Sequence, residues 1–125
     1  MAVKLKSISV TDDYLHCSFE GRFEKLAKME ENTKKVLAAH EESGFFKALL
    51  DFSQIKGTVG LLYEHYLGKQ ISFAAPQNAK IALLGPKHLK IFDTGHLRNV
   101  TANRATNLKI FWDMNEAVAW LNSAE

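Results

Sequence analysis

The sequence contains one cysteine, Cys17, and only two prolines, Pro76 and Pro86, in 125 residues. A single cysteine excludes an internal disulfide, which suits a reducing compartment. No apolar run approaches the roughly 18–20 residues that a membrane-spanning helix needs, and the first residues lack the apolar stretch of a signal peptide. We therefore expect a cytoplasmic protein without an integral membrane segment.

The chain also lacks an excess of charge of one sign. Its 16 basic and 14 acidic residues give a net charge of +2, and the two signs are interspersed. Nucleic-acid-binding proteins usually carry a basic stripe on one face, so we expect no nucleic acid as a partner. The hydrophobic content of 46% is ordinary for a globular protein, and the length predicts a single domain over residues 1–125.

The hydrophobic pattern predicts a hairpin followed by alternating helices and strands. Strands are expected over residues 3–10, with a bulge near Lys6 and Ser7 where the alternation slips, and over 14–20. A helix over 22–42 should end at Gly44, in the left-handed conformation, before a buried strand within 45–52. Further elements are predicted as helices at 58–67, 86–97 and after Asp113, and strands at 80–84 and 108–112. The order β-β-α-β-α-β-α-β-α predicts an α/β fold with a mixed sheet.

Three segments together resemble the SpoIIAA-like branch of the STAS family. They are KALLDFS at 47–53, KIALLG at 80–85 and FWDMNEAVAWL at 111–121, and the last is the most specific. The resemblance covers most of the chain. It implies a mixed sheet with helices against it, no metal, and a regulatory or interaction role, often as a dimer. A lipid-like or small apolar ligand has been suggested for relatives.

The anti-sigma-factor antagonists of that family carry a phosphorylated serine in an Asp-Ser-Ser-Gly motif. The corresponding stretch here, DFSQIKGTVG at 51–60, lacks the motif. The resemblance leaves Thr58 as the nearest hydroxyl and Ser53 as the second candidate phosphoacceptor. A phosphate on Thr58 would be stabilised at a helix start, but threonine also favours that position as an unmodified cap.

No spacing typical of a catalytic or metal site occurs. The five histidines form no metal-binding motif, and Cys17 lies on the core-facing phase of its strand, where it acts as a small apolar side chain. Ligands of α/β sheets gather beyond the carboxyl ends of the parallel strands, and Asp51, His88 and Trp112 are expected there. An enzyme using this crevice is a third reading, and we expect no catalytic residue, metal or cofactor.

The segment 58–67 has apolar residues around nearly its whole helical circumference. One interpretation is a partner surface formed by Thr58, Leu62, Tyr63 and Tyr66, which would serve another protein or a second copy of the chain. A second is a lid over a small apolar ligand. A third is a local core that also receives Phe45, Phe46 and Phe73. The leading hypothesis is a non-enzymatic regulatory domain that binds protein as a homodimer, and the alternative is a carrier of an apolar ligand.

Overall fold

The computed structural model describes residues 3–11, 14–22, 29–57, 69–71, 79–86 and 107–123. Five strands in this part of the chain form one sheet in the order of the sequence. The first two strands pair antiparallel and the remaining pairs are parallel, which confirms the predicted mixed α/β sheet. The strands are β1 (Lys4–Val10), β2 (Tyr14–Glu20), β3 (Lys47–Asp51), β4 (Lys80–Leu84) and β5 (Asn107–Phe111).

The β1–β2 hairpin contains the predicted bulge. Leu5 pairs with Phe19, but Ser7 pairs with Ser18, so Lys6 is the extra residue. The peptide N–H of Thr11 donates to the carbonyl of Tyr14 at 3.0 Å at the other end of the hairpin. The bulge keeps both halves of β1 in register with the core, because one added residue reverses the faces of all side chains that follow.

Helix α1 (Met29–Ser43) joins β2 to β3. The predicted start of this helix at residue 22 is wrong, because Arg22 forms an isolated parallel bridge with Lys56 and so continues the pairing of the sheet. The predicted end is confirmed. Gly44 has φ of 74°, which other residues adopt at a cost, and its N–H donates to the carbonyl of His40 at 2.9 Å.

A buried amide fastens α1 to the sheet. The Asn32 side chain is 8% exposed, accepts a hydrogen bond from the peptide N–H of Leu5 at 3.0 Å, and donates to the carbonyl of Val3 at 2.9 Å. It therefore pairs with β1 as a neighbouring strand would. Burial of this polar side chain is compatible with folding because both ends of the amide are satisfied.

The sheet separates two clusters of buried apolar side chains. One cluster holds Leu15, Cys17 and Leu50 together with Val36 of α1, and Ile71, in the helical residues 69–71, joins the same cluster. The other lies on the opposite face, where Leu49 and Ala82 meet the closing helix α2 (Met114–Leu121). Cys17 is fully buried, as the alternation along β2 predicted.

Two expectations near the strand ends need correction. Phe45 packs against the first cluster, but Phe46 is 60% exposed, so the idea that both enter one local core is wrong for Phe46. The chain bends at Phe46, immediately before β3, so the two rings point into different surroundings. Phe73 lies outside the described residues. The predicted helix start at Pro86 is wrong, because Pro86 is buried and lies outside any helix or strand; the remaining residues of that prediction, 87–97, lie outside the described residues.

Candidate functional site

The carboxyl ends of the parallel strands meet at one edge of the sheet. Asp51, Leu84 and Phe111 end β3, β4 and β5 and are aligned with one another in the strand register. An open cleft of about 940 Å³ lies at this edge. Its lining comes from the residues that follow β3, from the ends of β4 and β5, and from the first turn of α2: Ser53, Leu84, Gly85, Lys109, Ile110, Phe111, Trp112, Asp113, Met114 and Glu116.

The indole of Trp112 forms one wall by lying against the backbone of Gly85. A Cβ atom placed on Gly85 would approach the indole Nε1 to 3.0 Å, closer than an ordinary van der Waals contact. Gly85 is held in position because its N–H donates to the carbonyl of Phe111 at 2.8 Å. The absence of a side chain at residue 85 therefore sets how deeply Trp112 sits at the mouth of the cleft.

The start of α2 also lines the cleft, through Asp113, Met114 and Glu116. Asp113 is the helix cap, and its carboxylate accepts a hydrogen bond from the N–H of Asn115 at 3.0 Å. The ring of Phe111 packs against Trp120 with centroids 5.7 Å apart, and the ammonium of Lys109 lies 5.6 Å from the centroid of Phe111. The lining of the cleft thus combines aromatic side chains with charged groups of both signs.

A polar cluster formed by His16, Asp51 and Ser53 borders the cleft. One carboxylate oxygen of Asp51 lies 3.0 Å from Nε2 of His16, and the other accepts hydrogen bonds from the Ser53 hydroxyl at 2.6 Å and the Ser53 N–H at 3.0 Å. Burial alone would raise the pKa of Asp51, but the bonds from Ser53 and His16 outweigh it and hold the pKa below its ordinary value of 3.8.

The order of groups in this cluster differs from that of a nucleophilic triad. In such triads a histidine lies between the hydroxyl and the carboxylate, so that it can remove the hydroxyl proton. Here the carboxylate of Asp51 lies in the middle, and Ser53 donates to it directly. Burial also raises the pKa of the Cys17 thiol to about 12, which keeps that side chain protonated.

The structure places only some of the predicted site residues. Asp51 and Trp112 lie at the same edge of the sheet, as expected for a strand-end crevice, and Ser53 lines the cleft. His88 and the predicted partner surface lie outside the described residues: Thr58, Leu62, Tyr63 and Tyr66. Among the described residues, no group of three or more histidine, cysteine or acidic side chains is placed to hold a metal ion.

Two groups of the site were not predicted. They are His16, which bonds to Asp51, and Lys109, which lines the cleft. The alternation along β2 could have indicated that His16 shares a face with Asp51, but pairing them requires the β2–β3 register, in which Ser18 lies opposite Asp51.

No family model matches the chain, and no curated protein shows significant sequence similarity to it. Within the described residues, neither α1 nor any other helical segment has the length and apolar character needed to span a membrane. The fold and the strand-end cleft are therefore the basis for a functional proposal.

Proposed function

We propose that this chain is a SpoIIAA-like regulatory domain of the STAS type, which acts in the cytoplasm by binding protein as a homodimer. One observation carries the choice of binding over catalysis. The groups of the His16–Asp51–Ser53 cluster are bonded to one another through the carboxylate of Asp51, and the adjoining cleft is walled by aromatic side chains. Such a site is suited to binding a side chain of a partner protein rather than to catalysis.

The arrangement of the sheet supports the family part of the proposal. An antiparallel hairpin leads into parallel strands, and helices lie against both faces. The segment FWDMNEAVAWL, which carries the resemblance most specifically, supplies the last residue of β5, the cap Asp113 and the whole of α2. Residues that are distinctive in the sequence therefore also build a wall of the cleft.

A small apolar ligand is the second candidate, and the size and lining of the cleft favour it. Small-molecule sites usually enclose roughly 300–1,000 Å³ and are lined mainly by apolar and aromatic side chains. The cleft of about 940 Å³ falls within that range and includes Leu84, Ile110, Phe111 and Met114.

Affinity purification of the full chain from cell extract, with quantitative mass spectrometry, tests the protein-binding proposal. The double variant Tyr63→Ser/Tyr66→Ser is compared with the wild type and with Phe46→Ser, which removes the exposed ring of Phe46. We expect a protein that is enriched with the wild type and Phe46→Ser but lost with the double variant. No enriched protein, or equal loss in both variants, would contradict the proposal.

Native mass spectrometry distinguishes the ligand candidate. A co-purified apolar compound would appear as added mass that organic extraction removes, and Trp112→Ser should reduce it because Trp112 forms a wall of the cleft. A chain that carries no added mass after growth under varied conditions would count against a ligand carrier. That result would leave the protein-binding assay to decide the leading proposal.

A further inference from the structure

Strand β1 is the edge of the sheet, and its outer side is divided into two parts. In the first part, the Asn32 side chain pairs with Leu5 and Val3, and the bulge follows directly. Among the described residues, Asn32 is the only one that pairs with this outer side. Bulges and side-chain plugs are common protections of sheet edges, but here both act before Ser7.

The second part of the outer side is residues 7–11, and the register of the hairpin shows which of its peptide groups face outward. Peptide groups along an antiparallel strand point alternately toward and away from the neighbour. Since the N–H of Thr11 donates to Tyr14, the inward groups are those of Thr11, Ser9 and Ser7, so those of Ile8 and Val10 face outward. The N–H of Leu5 also faces outward, as its bond to Asn32 shows, because the bulge shifts the phase.

The sequence of this part carries none of the usual protections. Residues 7–11 read Ser-Ile-Ser-Val-Thr, without charge or proline. Val10 is 65% exposed, while Ile8 is partly buried against the core on the same face of the sheet. An uncharged, β-branched edge with outward peptide groups is a template for pairing with another strand.

We propose that a second copy of the chain adds to the outer side of residues 7–11, antiparallel and with a two-fold axis at Ser9. In this register Ile8 lies opposite Val10 of the partner subunit, and Ser9 lies opposite Ser9 of the partner subunit. The outward groups of Ile8 and Val10 form four hydrogen bonds, and the two sheets become one of ten strands. The proposal goes beyond the proposed function, because it places the dimer contact on β1 and not on the segment 58–67.

A second copy fits this edge because the segment is complementary to itself. Antiparallel pairing about Ser9 sets apolar β-branched side chains opposite each other and serine opposite serine, and no like charges meet. The lysines of β1, Lys4 and Lys6, precede the paired part. A two-fold axis perpendicular to the sheet also brings both copies of α1 to the same face, where each continues to cover its own β1.

Cysteine cross-linking tests the register directly. In Ser9→Cys the two thiols lie opposite each other in a non-hydrogen-bonded pair, with Cα atoms about 4.5 Å apart, within disulfide range. In the control Ser7→Cys the two positions are offset by four residues, about 13 Å along the strands, which is beyond that range. The native Cys17 does not interfere, since it is fully buried. We expect a disulfide dimer from Ser9→Cys under mild oxidation and none from Ser7→Cys.

Sedimentation of the full chain over a range of concentrations tests the hydrogen bonds. Val10→Pro removes an outward N–H from each copy but leaves the β1–β2 bonds intact, and should weaken dimerisation about tenfold or more. Val10→Thr keeps both the N–H and the branched side chain and should remain a dimer. Circular dichroism checks that each variant is folded. If Val10→Pro does not fold, the cysteine cross-linking experiment decides the proposal.

Several outcomes would overturn the proposal. These are a wild-type monomer at every concentration, a folded Val10→Pro variant that dimerises like the wild type, or equal cross-linking of Ser7→Cys and Ser9→Cys. The variant Tyr63→Ser/Tyr66→Ser separates this contact from the proposed function, because it should stay dimeric if β1 forms the interface. A dimer lost in that variant and kept in Val10→Pro would place the contact elsewhere.

Discussion

The ammonium of Lys80 lies 4.6 Å from the centroid of the Trp120 ring and donates a hydrogen bond to the Trp120 carbonyl. It also donates to the carbonyl and the hydroxyl of Ser123, at 3.0 and 3.1 Å. The first residue of β4 thus binds the carboxyl end of α2, where free carbonyls and the helix dipole favour a positive charge. Lys80 is only 8% exposed, so this contact fixes α2 against the sheet and with it one wall of the cleft.

We expect Lys80→Met to lower the free energy of unfolding by about 2 kcal/mol, because hydrogen bonds to a charged donor are lost and the carbonyls are left without that partner. Methionine preserves most of the apolar stem, so the loss reports on the ammonium. Urea denaturation measures the effect. Lys4→Met replaces an exposed lysine of the sheet and should change stability by no more than about 0.5 kcal/mol. Equal effects of the two substitutions would show that the bonds from the Lys80 ammonium to the end of α2 contribute nothing to stability.

Asn32→Leu should destabilise the chain and loosen the first half of β1. The leucine fills a similar volume but leaves the N–H of Leu5 and the carbonyl of Val3 without the amide, at a cost of about 2 kcal/mol. Hydrogen exchange of the Leu5 amide should become faster than in the wild type. Lys34→Leu, at an exposed position of the same helix, serves as the control. Unchanged protection of the Leu5 amide in Asn32→Leu would contradict the role given to the side chain.

Local features of the fold could be predicted from the sequence, whereas contacts such as that of Asn32 could not. The period of two along β2 placed Cys17 in the core, because alternation is a local property of an extended chain. The bulge in β1 was equally visible as a change of phase. The sequence did not predict the role of Asn32, because an asparagine in a helix is normally expected to face solvent. Its burial is understandable only once its hydrogen-bond partners on β1 are known.

Longer-range pairs were beyond the reach of sequence patterns. His16 and Asp51 are 35 residues apart, and Lys80 and Trp120 are 40 apart. Their contacts depend on how neighbouring strands slide against each other and on which face the closing helix covers. Periodicity indicates the face of each side chain within its own element, but it fixes neither the register between strands nor the sheet face that the closing helix covers.

Asp51 should make stability depend on pH in acid. Its pKa is lowered in the folded chain, so the carboxylate contributes stability that is fully present above its ordinary pKa of 3.8 and is lost as the pH falls through the folded value. Urea denaturation at several pH values below 5 measures this. We expect Asp51→Asn, which cannot titrate, to lose less stability over that range than the wild type. Parallel pH profiles for the two proteins would show that Asp51 does not contribute.

Gly85→Ala should displace Trp112 and change the cleft without unfolding the chain. The added Cβ would lie 3.0 Å from the indole Nε1, so the ring must move by a few tenths of an ångström, whereas the backbone of Gly85 needs no left-handed conformation. The indole N–H resonance of Trp112 should shift in a ¹H–¹⁵N spectrum, while that of Trp120, which packs against Phe111, stays in place. The stability loss, about 1 kcal/mol, should disappear in a Trp112→Leu background, because residues in contact are energetically coupled. If the substitution costs the same in both backgrounds, the close approach of Trp112 to Gly85 is not what requires glycine at this position.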